Sequence, residues 1–202
     1  MKQLIIVGAS GHGEVVSDIA MLNGYTDIAF LDDDETVGEC NAYPVLGRIV
    51  TAPRYPKADF IVAIGNANAR ERIQNLLIEN GLNVVSLVHP KAVVAKHVDI
   101  GVGSVVMAGV VINTNTVIGR GCIINTCASV DHDCCISGFV HVSVGAHIAG
   151  GVDIGLRTWI GIGAAVVNNI VISRDCMIGA GAVVIDNIVQ PGTYVGVPAR
   201  RI

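Results

Sequence analysis

The sequence predicts two units in series, a small α/β domain over 1–88 and a parallel β-solenoid over 89–202. Three observations predict this. Every sixth residue from Ile100 is Ile or Val: Val106, Ile112, Ile118, Ile124, Val130, Ile136, Val142, Ile148, Ile154, Ile160, Val166, Ile172, Ile178 and Val184 follow without a break in register. A second row stands two residues before each of these from Ser104 onward, and apart from Ile170 it holds small or compact side chains. Neither a helix nor a hairpin sheet keeps a period of six, whereas a solenoid of short strands does, turning one large and one small side chain inward per strand. Ahead of this stretch, short apolar runs alternate with helical patterns, the signature of a small parallel α/β domain.

Composition narrows the function classes. The 202 residues suffice for one large or two small domains. Hydrophobic residues make up 51%, yet no apolar run nears the ~20 residues that a spanning helix needs, so the excess belongs to the solenoid core. Leu4–Val7 before Gly8 is too short for a signal peptide. A net charge of −4, with 13 Lys and Arg in no basic cluster, argues against nucleic acid as a partner. Of the six cysteines, Cys122, Cys134 and Cys176 fall in the small inward row and read as packing thiols. No Cys or His spacing suits a zinc site, so no metal is expected, and a reduced cytoplasm is the expected location.

Taken in order, Gln3–Val7 reads as a strand running into Gly8-Ala9-Ser10-Gly11-His12-Gly13. A helical pattern follows, with Val15, Val16, Ile19, Ala20 and Leu22 on one side and Gly24 as its stop. Ile28–Leu31 is a second strand ending in Asp32-Asp33, and Phe60–Ile64 a third ending in Gly65-Asn66. A helix over about 67–80 stops at Gly81, Val84–Val88 is a further strand, and His89-Pro90 marks the hinge. Ligands of such sheets sit beyond the carboxyl ends of the strands. Gly8, Ser10, Gly11, His12, Gly13, Asp32, Asp33, Gly65 and Asn66 are therefore the candidate binding residues of this unit. Glycines there let backbone N–H groups approach a phosphate. The loop reads G-x-x-G-x-G, not the dinucleotide G-x-G-x-x-G, which disfavours an NAD enzyme; a tight turn beside solvated acids remains the plain alternative.

In the solenoid, Ile100-Gly101, Ile118-Gly119, Ile154-Gly155, Ile160-Gly161 and Ile178-Gly179 match the repeat [LIV]-G-x-x-[STAV]-x of the hexapeptide-repeat acyltransferases. The GASGHG loop, the strand ending in Asp-Asp, Ala63-Ile64-Gly65-Asn66 and the repeat together resemble the PglD/NeuD-like sugar acetyltransferases over essentially the whole chain. The resemblance implies a Rossmann-like N-terminal domain that holds a nucleotide-sugar. It implies a left-handed β-helix of triangular section, three hexads to the coil, and a homotrimer with acetyl-CoA between neighbouring solenoids. Acetyl-CoA enters as cosubstrate, with no permanently bound cofactor.

The densest polar stretch of the solenoid is Asn125-Thr126-Cys127-Ala128-Ser129-Val130-Asp131-His132-Asp133. His132 lies two residues past an inward Val and points outward; His141 and His147 precede inward residues and do the same. One coil of three hexads brings Gly150 over His132, at roughly one strand spacing of ~4.8 Å. A histidine beside an accessible backbone N–H suits acyl transfer: the imidazole takes the nucleophile's proton, and the N–H steadies the thioester oxygen. An ordinary exposed histidine is the competing reading. The resemblance implies His132 as general base with Asp133 as its acidic partner, His141 and Gly150 as acetyl-CoA contacts, and Asn125 lining the same cleft. Glu is commoner than Asp beside the family's histidine. The outward column Val105, Ile123, His141, Trp159 and Met177 suggests a covered face. The expected activity is N-acetylation of the 4-amino group of a nucleotide-linked, UDP-type deoxy-amino-sugar for glycan or exopolysaccharide synthesis. O-acetylation of a sugar such as sialic acid, or a non-catalytic sugar-nucleotide-binding protein, are the alternatives.

Overall fold

The structure, a computed structural model, describes residues 3–202. Two compact units divide at Pro90 and Lys91. No helix among the described residues is long and apolar enough to cross a membrane.

The first unit is built on β1 (Leu4–Val7), β2 (Ile28–Leu31), the short hairpin β3 (Glu39–Cys40) and β4 (Tyr43–Pro44), β5 (Asp59–Val62), β6 (Asn83–Val84) and β7 (Leu87–Val88). The sheet order β2-β1-β5-β6 is parallel throughout, with Leu4 opposite both Ile28 and Asp59. All residues of β1 and β2 are buried, as expected for a parallel sheet covered on both faces. Helix α1 (Gly11–Leu22) turns Val16, Ile19 and Ala20 inward; Val15 and Leu22, expected on the same side, are exposed. Helix α2 (Ala67–Glu79) starts at Asn66, whose Oδ1 accepts the Ala69 N–H at 2.9 Å, a standard N-cap. The expected strand at Val84–Val88 is two short pieces, β6 and β7. The β3–β4 hairpin and the 3₁₀ turn Ile49–Arg54 are additions the pattern did not announce.

The second unit is a solenoid of short strands, mostly of two residues, in three sheets that are parallel except where Gly192–Val195 pairs antiparallel with Arg200–Arg201. Each strand pairs with the one a full coil further on: Val105 with Ile123, Ile123 with His141, His141 with Trp159, and likewise on the other two faces. The Ile/Val row is buried from Val106 to Val184. The compact row fills the remaining space and adds polar pins. Thr116 Oγ1 donates to Asp131 O at 2.6 Å and accepts from Cys134 N at 3.2 Å. Ser104 and Thr158 repeat this pattern, donating to Gly119 O and Ser173 O and accepting from the Cys122 and Cys176 N–H groups. Cys122 and Cys134 extend it: their thiols donate to Ser137 O and Ala149 O, both at 3.2 Å. These cysteines are therefore weak donors as well as packing groups.

The corner after the second sheet has one special backbone demand. Asn115, Asp133, Gly151 and Asn169, one to each successive coil, have φ of 61, 58, 69 and 59°. That left-handed region is tolerated by Gly and, next best, by Asn and Asp, so the corner's composition follows from its turn. The expected outward apolar column holds only in part. Val105 and Ile123 are buried, His141 is half-buried, and Trp159 and Met177 are exposed.

Candidate functional site

His132 occupies the residue before that left-handed corner position, which throws its side chain outward. The imidazole is held on one side by a carboxylate. Its Nδ1 lies 2.7 Å from Oδ2 of Asp133, and its backbone N–H donates to Oδ1 of Asp131 at 2.8 Å. Asp in place of Glu thus still reaches the ring. Both carboxylates are tied to the preceding coil: Asn115 Nδ2 donates to Asp133 Oδ1 at 3.1 Å and Asn113 Nδ2 to Asp131 Oδ1 at 2.7 Å.

On the other side Gly150 closes against the ring. A Cβ there would lie 2.7 Å from both Cε1 and Nε2 of His132, so only glycine admits the imidazole in this pose. Gly151 N donates to His132 O at 2.9 Å, locking the two coils together. The Gly150 N–H donates to no group among the described residues. Asp131, His132, Asp133, Ala149–Gly151 and Asn168–Asn169 line a cavity of about 440 Å³.

The electrostatics favour a charged imidazole at the expense of a neutral one. The Asp133 hydrogen bond first, and the charge of Asp131 second, raise the His132 pKa above its ordinary value of 6.5. The same hydrogen bond, then that of Asn115, holds Asp133 below the usual carboxylate range. The His132 side chain is 57% exposed, so solvent screens these interactions strongly.

Asn125 and His141 form a second cluster. Asn125 follows the first sheet rather than the second, and so lies at a different corner from His132. Its Nδ2 meets His141 Nε2 at 3.1 Å, and an amide NH₂ can only donate, which leaves Nε2 as acceptor. The His141 ring stacks on Trp159 with centroids 4.9 Å apart, and Trp159 Nε1 donates to Ser143 Oγ. His147 is separate again, paired with Ser129 Oγ at 2.9 Å. Within one chain, then, His132, Asp133 and Gly150 come together, while Asn125 and His141 join each other elsewhere.

In the first unit the Gly loop, Asp32 and Gly65 do converge at the carboxyl ends of β1, β2 and β5. Asp32 Oδ2 accepts the Ala9 N–H at 2.7 Å. Asp33 Oδ1 accepts the Ile49 N–H at 3.0 Å, with Arg48 nearby at 3.9 Å. Two glycines have packing reasons of their own. A Cβ at Gly8 would meet Ala63 O at 2.8 Å, and one at Gly13 would collide with Gly8 O and the Phe30 ring. Gly11 and Gly65 face open space instead. Ser10 precedes α1 without a side-chain cap, leaving its hydroxyl uncommitted to the helix.

Arg70 was not among the sequence candidates. It is buried, and its Nη1 donates to Ile64 O at 2.7 Å and Gly65 O at 2.8 Å, bracing the end of β5. Burial, and secondarily the Arg70 charge, lower the His12 pKa to about 4. His12 is therefore neutral near pH 7, with its buried Nε2 making no hydrogen bond among the described residues. Asn113, Asn115, Asn168 and Asn169 were missed too, although Asn113-Thr114-Asn115 stands one coil before Asp131-His132-Asp133. A cavity of about 250 Å³ between the 3₁₀ turn and α2 is apolar and shares no residue with the Gly loop.

Comparison with known proteins places these features in context. Residues 3–77 match the PglD N-terminal domain model. UDP-N-acetylbacillosamine N-acetyltransferase of Bacillus subtilis is 35% identical over 118 residues, so the match spans about half of that relative: 54% of this chain and 52% of the relative. The acetyltransferase domain of PglB from Neisseria gonorrhoeae, solved with acetyl coenzyme A, is 39% identical with a TM-score of 0.95, covering 100% of this chain and 99% of that one. PerB from Caulobacter crescentus, solved with CoA and GDP-perosamine, is 35% identical with a TM-score of 0.96, covering 100% and 98%.

Proposed function

This chain belongs to the PglD/NeuD-like family of hexapeptide-repeat sugar acetyltransferases, and from that premise we propose that it transfers the acetyl group of acetyl-CoA to the 4-amino group of a nucleotide-linked deoxy-amino-sugar. The observation that carries the reading is His132: Nδ1 on Asp133 and the ring against Gly150, with all three residues lining one cavity.

The chemistry follows from that geometry. A neutral sugar amine attacks the thioester carbonyl, forming the C–N bond and a tetrahedral oxyanion. The uncommitted Gly150 N–H is the candidate donor to that oxygen. Nε2 of His132 takes the surplus ammonium proton, Asp133 steadies the resulting imidazolium, and collapse breaks the C–S bond and expels CoA thiolate, which takes that proton from the imidazolium and restores the neutral base. Asp133 holds the Nδ1–H tautomer, so that Nε2 is the proton acceptor.

UDP is the nucleotide we assign, supported by the name of the Bacillus relative; the GDP-perosamine complex of PerB makes the nucleotide an outcome to be measured. Gly8, Ser10, Gly11, His12, Gly13, Asp32, Asp33, Gly65 and Asn66 are the residues we assign to the nucleotide-sugar; Gly8, Gly13, Asp32, Asp33 and Asn66 serve the fold as well. A homotrimer is supported by the separation of the two clusters: the His132 corner and the Asn125–His141 cluster of one chain lie at different corners, and a neighbouring copy would supply the second to the first. All six cysteines are free, in keeping with the reduced cytoplasm we assign.

The test is mass spectrometry of products from acetyl-CoA with UDP- and GDP-linked 4-amino-sugars, their 4-hydroxy counterparts and free sialic acid, with H132A as control. Acetylation of an amino-sugar that is lost in H132A supports the proposal. Acetylation of hydroxyl acceptors alone would move the protein to sugar O-acetylation, and nucleotide-sugar binding without any product would make it a binding protein.

A further inference from the structure

The corner carrying His132 is built on the coil below it. Asn115 and Asp133 share the left-handed corner position in successive coils. A purely conformational reading accounts for both being Asx residues, because that region favours Gly, Asn and Asp, although Cys127, Phe139 and Arg157 adopt it as well. It does not explain where their side chains point. Asn115 Nδ2 donates to Asp133 Oδ1 at 3.1 Å, while the other oxygen of the same carboxylate, Oδ2, meets His132 Nδ1 at 2.7 Å. One oxygen is anchored and the other is presented. A free carboxylate on a solvent-exposed turn would rotate about its terminal torsion, which is broad for Asp.

Asp131 is held in parallel. Asn113 Nδ2 donates to its Oδ1 at 2.7 Å, and the same oxygen accepts the His132 N–H. Asn-Thr-Asn thus underlies Asp-His-Asp residue by residue, and each outer pair is hydrogen-bonded.

We propose that Asn115 is a positioning residue for His132: by anchoring Oδ1 of Asp133 it commits Oδ2 to the imidazole Nδ1–H and so leaves Nε2 as the proton acceptor. This deepens the acetyltransferase reading and rests on His132 being its base. An amide is the right anchor. It donates without adding charge, whereas a carboxylate at the same place would repel Asp133 and a lysine would compete with His132 for it.

Two substitutions separate the donor from the backbone. N115D keeps the shape and the tolerance of the left-handed turn but replaces the donor by a carboxylate. N115G satisfies the turn and removes the side chain. A conformational role predicts both to behave as wild type. The donor role predicts a kcat loss of roughly tenfold for N115G, a part of the ~10²–10⁴-fold that a general base contributes, and a larger loss for N115D. The acetyl-CoA KM should stay unchanged in both. The direct readout is ¹⁵N NMR of the neutral His132 imidazole in the full chain, its signal identified by its absence in H132A. The wild type should show the proton on Nδ1, and N115D a mixture of tautomers. Wild-type kcat in N115D, or a kcat loss with the Nδ1–H tautomer fully retained, would overturn the inference. Wild-type activity in H132A would instead overturn the base reading, and the tautomer measurement would still judge Asn115.

Discussion

Gly150→Ala is the sharpest single perturbation of the site. The added Cβ would lie 2.7 Å from Cε1 and Nε2 of His132 and 3.2 Å from Nδ1. Non-bonded carbon contacts settle at about 3.5 Å, so the ring must retreat by roughly 0.8 Å or rotate off Asp133. A misplacement of about 1 Å at a reacting group can cost about 10²-fold, so kcat should fall roughly 10- to 100-fold. Stability should hardly change. Gly150 is outside the left-handed region, and the exposed ring can move into solvent. Gly151→Ala provides the contrast, because φ is +69° there and an L side chain costs about 1–2 kcal/mol. The assay pairs steady-state kinetics with thermal unfolding. If G150A retained wild-type kcat, the imidazole would not act from the pose against Gly150, and the argument for His132 would fail with it.

Three further outcomes are expected. The base must be neutral to act, and its pKa is raised chiefly by Asp133, so the acid limb of kcat/KM should inflect above pH 6.5 and move lower in D133N; an unmoved limb would detach the profile from this pair. His12 titrates at about 4 when folded and near 6.5 when unfolded. The unfolded chain therefore binds the extra proton, and the first unit should lose up to about 3 kcal/mol as pH falls through that window. Amide exchange in β1 and β5 should accelerate accordingly, and equal acceleration in H12Q would show another group to be responsible. T116V leaves Asp131 O and Cys134 N unpaired inside the solenoid and should cost about 2–3 kcal/mol by denaturant unfolding. S104A should cost a similar amount but spare activity, since Ser104 pins a different corner.

The core of this protein was legible because every coil repeats one environment. A row of Ile and Val at a period of six can satisfy only a structure that returns to the same interior every sixth residue. The outward aim of His132 and its closeness to Gly150 followed from that register together with the coil length. What register could not show was side-chain direction between coils, so the amides of Asn115 and Asn113 on Asp133 and Asp131 went unread. In the first unit the Gly loop was legible, but Arg70 was not, because a helix pattern does not reveal that a guanidinium folds back onto the end of β5. The outward column failed at Val105 and Ile123, where surface position was inferred from alternation alone and burial is decided by what packs over it.

The stacking of coils has one more consequence. Neighbourhood in the cleft is set by which coil lies on which, and hardly at all by distance along the chain. Asn115, Asp133, Gly151 and Asn169 are consecutive rungs although a full coil of chain separates each from the next. A whole extra coil inserted beyond Val184 would keep every core row in phase and leave those rungs adjacent. The same coil inserted between Asn115 and Asp131 would keep the core equally intact, yet it would put a stranger beneath the histidine. Length is free to vary in this architecture, and order within the stack is not.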